Sequence, residues 1–120
     1  MGTGDFYDKY CERTMNFAVA IVSFYSNHCK YKDETRIIGK QLLRSGTSVA
    51  ANFRAVTRGR SSAESYAKLC IVIEETDETL FWLELLKKAA LIDVSQIEQL
   101  ITEVTELLKI FSTTRKNWKR

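Results

Sequence analysis

Residues 45–86 read SGTSVAANFRAVTRGRSSAESYAKLCIVIEETDETLFWLELL, and this stretch decides the fold. A run of small residues (Ser45, Gly46, Ser48, Ala50, Ala51) precedes arginines at 54, 58 and 60, and an acidic and aromatic block follows. Small side chains let helices approach closely, and segregated charge orients a helix relative to water. Gly59 falls between two helical patterns and is expected to close the first as a left-handed residue beyond its end. Ser61-Ser62-Ala63-Glu64 has the S-x-x-E spacing of a capping box, so a second helix begins at once.

Working outward, the helix that ends near Arg58 begins near Glu34, with Asp33 as its expected N-cap. Ile38, Leu42, Val49, Phe53 and Val56 fall in one narrow arc at about 100° per residue. Gly39 and Gly46 interrupt it, each costing up to about 1 kcal/mol against alanine in a helix. With Ala50 they share a bearing beside the arc, which implies a groove for a partner helix. The helix after Ser62 carries Tyr66, Leu69, Cys70, Ile73, Leu80 and Leu83 on its expected apolar face. Asp77 and Glu84 fall inside that arc, where a carboxylate needs a partner or a proton. Arg54, Asn52 or a serine of the preceding helix is a candidate partner.

Two more helices complete the chain. Tyr10, Phe17, Ile21 and Phe24 mark one over about residues 8–29. Ser95-Gln96-Ile97-Glu98 is a second capping box, and Ile97, Ile101, Val104, Leu108 and Phe111 continue as a four-and-three seam to about residue 116. The expected helices therefore span about 8–29, 34–58, 62–88 and 96–116. The connections are short, so neighbours should run antiparallel, giving an all-α, up-down-up-down four-helix bundle in one domain of 120 residues. The absence of proline agrees, since nothing forces a long helix to stop.

Charge is strongly segregated behind a formal net of +3. Residues 1–29 carry net −1, residues 30–60 net +6, residues 61–108 net −7 and residues 109–120 net +5. One region attracts polyanions and another repels them. Arg36 and Arg54 are eighteen residues, about five turns, apart and share a bearing, with Lys40 and Arg58 about 40° away and Arg44 further round. Such a stripe can track phosphates. It can equally be an ordinary solvated face, or pair with acidic groups of a neighbouring helix or subunit. Arg60 and the basic tail, with Lys116 and Lys119 beside Trp118, extend the candidate surface, and an indole can stack on a base.

Several functions are disfavoured. Cys11, Cys29 and Cys70 are odd in number and widely spaced, which points to a reducing, cytoplasmic setting. No apolar run approaches the roughly 18–20 residues of a membrane span. His28 is the sole histidine and has Tyr25 three residues before it, so the paired Glu-x-x-His of a di-iron bundle is missing. No phosphate-binding loop, dinucleotide fingerprint or nucleophile elbow occurs. The expectation is no catalytic residue, no metal and no cofactor. Trp82, Leu85 and Ile71 lie off the main arc of the third helix, so that helix is apolar over more than half its circumference, which points to contact with another subunit.

GTSVAANFRA at 46–55, RSSAESYAKLCIVIEETDETLFWLELL at 60–86 and the lead-in Leu42-Leu43-Arg44-Ser45 resemble the four-helix-bundle proteins encoded within intervening sequences of 23S ribosomal RNA genes. The resemblance implies an antiparallel bundle that assembles as a homopentameric barrel. In a related type, the bundle is an accessory subunit of a reverse transcriptase in diversity-generating retroelements, and its basic surface binds nucleic acid and the enzyme. Ser48, Ala51, Asn52 and Arg54 match the small-residue, asparagine and arginine positions, and Asp77, Glu78, Trp82 and Glu84 the acidic-aromatic block. Ala55 departs from the glutamate that relatives commonly carry after the arginine. Two functions are therefore expected. One is a non-enzymatic oligomer that binds structured RNA or other nucleic acid through Arg36, Lys40, Arg44, Arg54, Arg58, Arg60, Lys116 and Lys119. The other is an adaptor oligomer that docks a partner protein, with the arginines in subunit pairing. In either, Gly46, Ala50, Asn52, Asp77, Trp82 and Glu84 are expected at interhelix or subunit contacts.

Overall fold

The computed structural model describes residues 4–93 and 95–119. Val94, at the end of the third connection, and Arg120, the last residue of the basic tail, lie outside the described residues. Four helices and no strand are present among the described residues: α1 Gly4–His28, α2 Asp33–Thr57, α3 Ser62–Lys88 and α4 Ser95–Lys116. They pack into a rod measuring 46 × 21 × 20 Å. α2 packs most extensively, against α3 and then α1; α3 packs on α4, and α1 touches α4 least.

The aromatic residues seat one end of the core. Phe53 of α2 stacks on Phe111 of α4 at 5.2 Å between ring centroids, and Tyr10 of α1 meets both edge-on. Phe6 and Tyr7 join this cluster, which carries α1 back to Gly4, ahead of the expected start. Offset and edge-to-face pairs of this kind add to the burial of large apolar area.

α1 and α2 approach closely because α2 lacks side chains where they meet. A β-carbon on Gly39 would lie 2.7 Å from Cys29 Cβ, and one on Gly46 would lie 3.0 Å from two carbons of Ile21. Gly59 serves a different purpose from the expected left-handed cap. Its backbone is not left-handed, and a β-carbon there would sit 1.9 Å from Ser65 Oγ, which donates to the Val56 carbonyl at 2.8 Å. Among the described residues other than glycine, it is Ala90, just past α3, that takes a positive φ, of 55°.

The caps also differ from expectation. Asp33 is the first residue of α2 rather than its cap; Lys32 holds that position without a side-chain hydrogen bond. Asp33 instead pairs with Arg36 at 3.1 Å. An acid in the first turn still favours the positive end of the helix dipole. At α3, Ser61 Oγ accepts the Glu64 N–H at 3.1 Å as a capping box requires, but Glu64 accepts from the Arg60 N–H at 2.9 Å, one residue further out.

The largest correction concerns the faces of α3 and α4. The buried seam of α3 runs Ser65, Leu69, Val72, Thr76, Thr79, Leu83 and Leu86, with Ile73 beside it. Tyr66, Cys70 and Leu80 are only half-buried. Hydroxyl side chains occupy three seam positions. Thr76 donates to the Val72 carbonyl at 2.6 Å and Thr79 to the Glu75 carbonyl at 2.7 Å. Such back-bonding satisfies the hydroxyl and lets the residue pack as a small apolar one. Counting threonine as polar turned the expected face by about a quarter of a turn. In α4 the seam is Ile97, Leu100, Val104, Leu107 and Phe111, with Ile101 and Leu108 at its margin.

Candidate nucleic-acid interface

The basic stripe of α2 does not act as one row. Arg44, toward α3, is engaged there: it binds Glu75 at 3.2 Å and also Glu78. Glu78 in turn accepts the Trp82 indole N–H at 3.0 Å. That indole hydrogen bond, and then Arg44, hold the Glu78 carboxyl below its ordinary range, while Glu78 raises the Arg44 guanidinium further. Arg44 is thus an interhelix tie. Arg36 is paired with Asp33. Lys40, Arg54 and Arg58 are exposed and form no ion pair among the described residues.

Arg54 and Arg58 instead rim a groove between α1 and α2, of about 620 Å³. Ala18, Ala50 and Ala51 line it together with Met15, Val19 and Val22. Ala50, expected at an interhelix contact, therefore borders open space. The expected pairing of Arg54 with Asp77 does not form, because Arg54 leans toward α1 and away from α3.

A second basic cluster forms at one end of the rod. The 58–60 turn and the tail of α4 are far apart in sequence but meet through Trp118. Its indole N–H donates to Ser62 Oγ at 3.1 Å, its ring meets Tyr66 at 6.0 Å between centroids, and Ser62 Oγ donates to the Lys119 carbonyl at 3.4 Å. Trp118 is half-buried by these contacts and packs on the core margin, so it pins the tail; that use competes with the expected stacking on a base. Arg58, Arg60, Lys116 and Lys119 are exposed around this end. Arg60 also pairs with Glu64 at 3.1 Å, and its backbone N–H and then its side chain lower the Glu64 carboxyl from its ordinary range.

The remaining expected contact residues divide. Gly46 is buried against Ile21, and Trp82 is half-buried between Phe81 and Glu78. Asn52 donates to Ser48 on its own helix, to the carbonyl at 3.0 Å and the hydroxyl at 2.9 Å. Asp77 and Glu84 are not in the apolar seam. Both are exposed and have no hydrogen bond or ion pair among the described residues. They belong to the outer side of α3, with Glu74 and Phe81, once the seam is placed through the threonines.

Sequence reading missed a contact that ties α1 to α4. Arg13 donates through Nε and Nη2 to both oxygens of Glu103 at 2.8 Å, and through Nη2 to Glu106 at 2.5 Å. The spacing of Glu103 and Glu106, three residues apart on one helical face, was the available signal. His28 packs against the Phe24 ring at 5.3 Å. Among the described residues no three His, Cys, Asp or Glu side chains gather as a metal site, and no helix is long and apolar enough to cross a membrane. Cys29 is buried, and burial pushes its thiol up to about 11.

The model of the 23S rRNA-intervening sequence protein family matches residues 9–113. A crystal structure of a protein of unknown function from the S23 ribosomal protein family of Bacteroides thetaiotaomicron is 34% identical, with a TM-score of 0.82 over 92% of this chain and 98% of that one. No curated protein matches. The match takes in α2 and α3 whole and most of α1 and α4, including both the 58–60 turn and the segment between Arg13 and Glu106, and so the chain belongs to the 23S rRNA-intervening sequence protein family.

Proposed function

We propose that this protein is a non-enzymatic, antiparallel up-down-up-down bundle that works as an oligomer and binds RNA or another nucleic acid through phosphate contacts at its basic end. The observation that carries the assignment is the convergence of Arg58, Arg60, Lys116 and Lys119 around the Trp118–Ser62 contact, with no acidic partner for Arg58, Lys116 or Lys119 among the described residues. Cations left free in one place neutralise phosphates and release counterions, which is the main source of sequence-independent affinity. Antiparallel packing accords with Gly46 meeting Ile21 while Gly39 meets Cys29, and with Ser65 meeting Val56 while Thr79 meets Ser45. The barrel of five copies follows from the family resemblance, and five copies would multiply the basic end by symmetry. The proposed setting is the cytoplasm.

The test is fluorescence anisotropy with a labelled single-stranded RNA and a labelled hairpin across a salt series. Binding should weaken steeply with salt and show little dependence on sequence. Folded protein that binds neither RNA nor DNA at low salt would end this proposal. A second function, an adaptor that docks a partner protein, is favoured by the open α1–α2 groove, whose apolar lining a phosphate backbone would not use.

A further inference from the structure

Two exposed surfaces of this chain have no partner within it, and their chemistry is complementary. The first is the α1–α2 groove. Met15, Val19 and Val22 follow one another at helical spacing along α1 and are 51%, 60% and 45% exposed. Alanines of α2 keep the floor shallow, and Arg54 and Arg58 stand on the rim without ion pairs among the described residues. The second surface is the outer ridge of α3. Phe81, 53% exposed, stands among Glu74, Asp77 and Glu84, and these three carboxylates are exposed and unpaired among the described residues. A groove that is apolar inside and basic at its edge fits a ridge that is apolar at its crest and acidic at its sides. Asp8 is the one acidic residue at the groove and lies at its end.

The two surfaces cannot meet within one molecule, because among the described residues no Cα of α1 comes within 8 Å of one of α3 and the ridge residues lie on the exposed outer side of α3. We infer that the groove of one copy seats the α3 ridge of a second copy, with Phe81 inserted between Met15 and Val19 and the carboxylates toward Arg54, which leaves Arg58 to the basic end. Contact between two different faces is heterologous: the pair keeps one groove, on one copy, and one ridge, on the other, free for further neighbours, and the series closes as a ring or extends. Arg54 then belongs to subunit pairing and not to the nucleic-acid surface. The inference rests on the oligomeric part of the proposed function and is independent of its nucleic-acid part.

The test uses Val19→Glu, which closes the groove, and Phe81→Glu, which spoils the ridge, with light scattering as the readout. Both side chains are exposed, and circular dichroism checks that the helices persist. Wild-type protein should be assembled at micromolar concentration and each variant alone should be monomeric. An equimolar mixture of the two variants should form a one-to-one dimer, because one supplies an intact ridge and the other an intact groove. A monomeric wild type would overturn the oligomer altogether. An assembled wild type with either variant still assembled, or a mixture that stays monomeric, would overturn this pairing of faces alone.

Discussion

Arg13 and Glu103, ninety residues apart, meet through two parallel hydrogen bonds of 2.8 Å at the seam where α1 and α4 pack least. Glu106 adds a third bond to the same guanidinium at 2.5 Å. The two backbones come close at fewer places there than at the other helix pairs, and a forked, charge-assisted ion pair adds a tie across the gap. Arg13→Ala should cost about 1 kcal/mol, because the pair is partly exposed and water screens it. Chemical denaturation of Arg13→Ala, Glu103→Ala and the double variant checks this through their coupling.

The same contact makes stability depend on pH. The Arg13 hydrogen bond, and then its charge, lower the Glu106 carboxyl from its ordinary value. A carboxylate depressed in the folded state stabilises that state above the unfolded value, about 4.3 for glutamate, and the contribution is lost as pH falls through the lowered folded value. Thermal melts between neutral and acidic pH should show a smaller acid loss in Arg13→Ala than in the wild type. Equal losses would mean that the clamp does not carry this part of the acid sensitivity.

The Ser45–Thr79 contact predicts an outcome opposite to simple hydrophobicity. The two hydroxyls lie 2.9 Å apart, fully buried where α2 and α3 pack. The space holds small side chains, so Thr79→Leu should destabilise by about 1–3 kcal/mol through overpacking although leucine is more apolar. Denaturant midpoints measure it. A stabilised Thr79→Leu would show that the seam has room to spare.

Gly39→Ala offers a similar conflict. Alanine favours the helix by about 1 kcal/mol over glycine. Its β-carbon would lie 2.7 Å from Cys29 Cβ and 3.0 Å from Tyr25 Cδ1, so α1 and α2 must separate. The net effect should be a loss of about 1–3 kcal/mol, measured as a shifted denaturant midpoint.

The number of helices and the close approaches at Gly39 and Gly46 of α2 were legible in the sequence because they depend on local spacing, whereas Ala50 borders the open groove. Phe53 and Ile21 recur at helical intervals, and both are buried. The facing of α3 was not legible, because Thr76 and Thr79 hide their polarity by hydrogen bonding to their own backbone. That error carried Asp77 and Glu84 into the supposed core. The basic end was also hidden. Nothing in the spacing of Arg60 and Lys119 announces that Trp118 will hold their segments together; the long-range contact with Ser62 had to be seen.

The last prediction separates cations that are free from cations that are spent. Arg44 and Lys119 look alike in the sequence, yet Arg44 is committed to Glu75 and Glu78 while the Lys119 side chain makes no ion pair among the described residues. Removing the free cations Lys116 and Lys119 by alanine substitution should lower the slope of log affinity against log salt by about 1.4 on single-stranded RNA, about 0.7 for each phosphate that is no longer neutralised. Stability should change little, since exposed side chains outside packed contacts have small effects. Arg44→Ala should do the reverse. It leaves Glu75 and Glu78 facing each other without their counter-charge, lowering stability, and should leave the salt slope unchanged. Anisotropy titrations at several salt concentrations, paired with denaturation of the same variants, decide it. A salt slope that falls for Arg44→Ala but not for the tail variant would place the phosphates along α2 and not at the end of the rod.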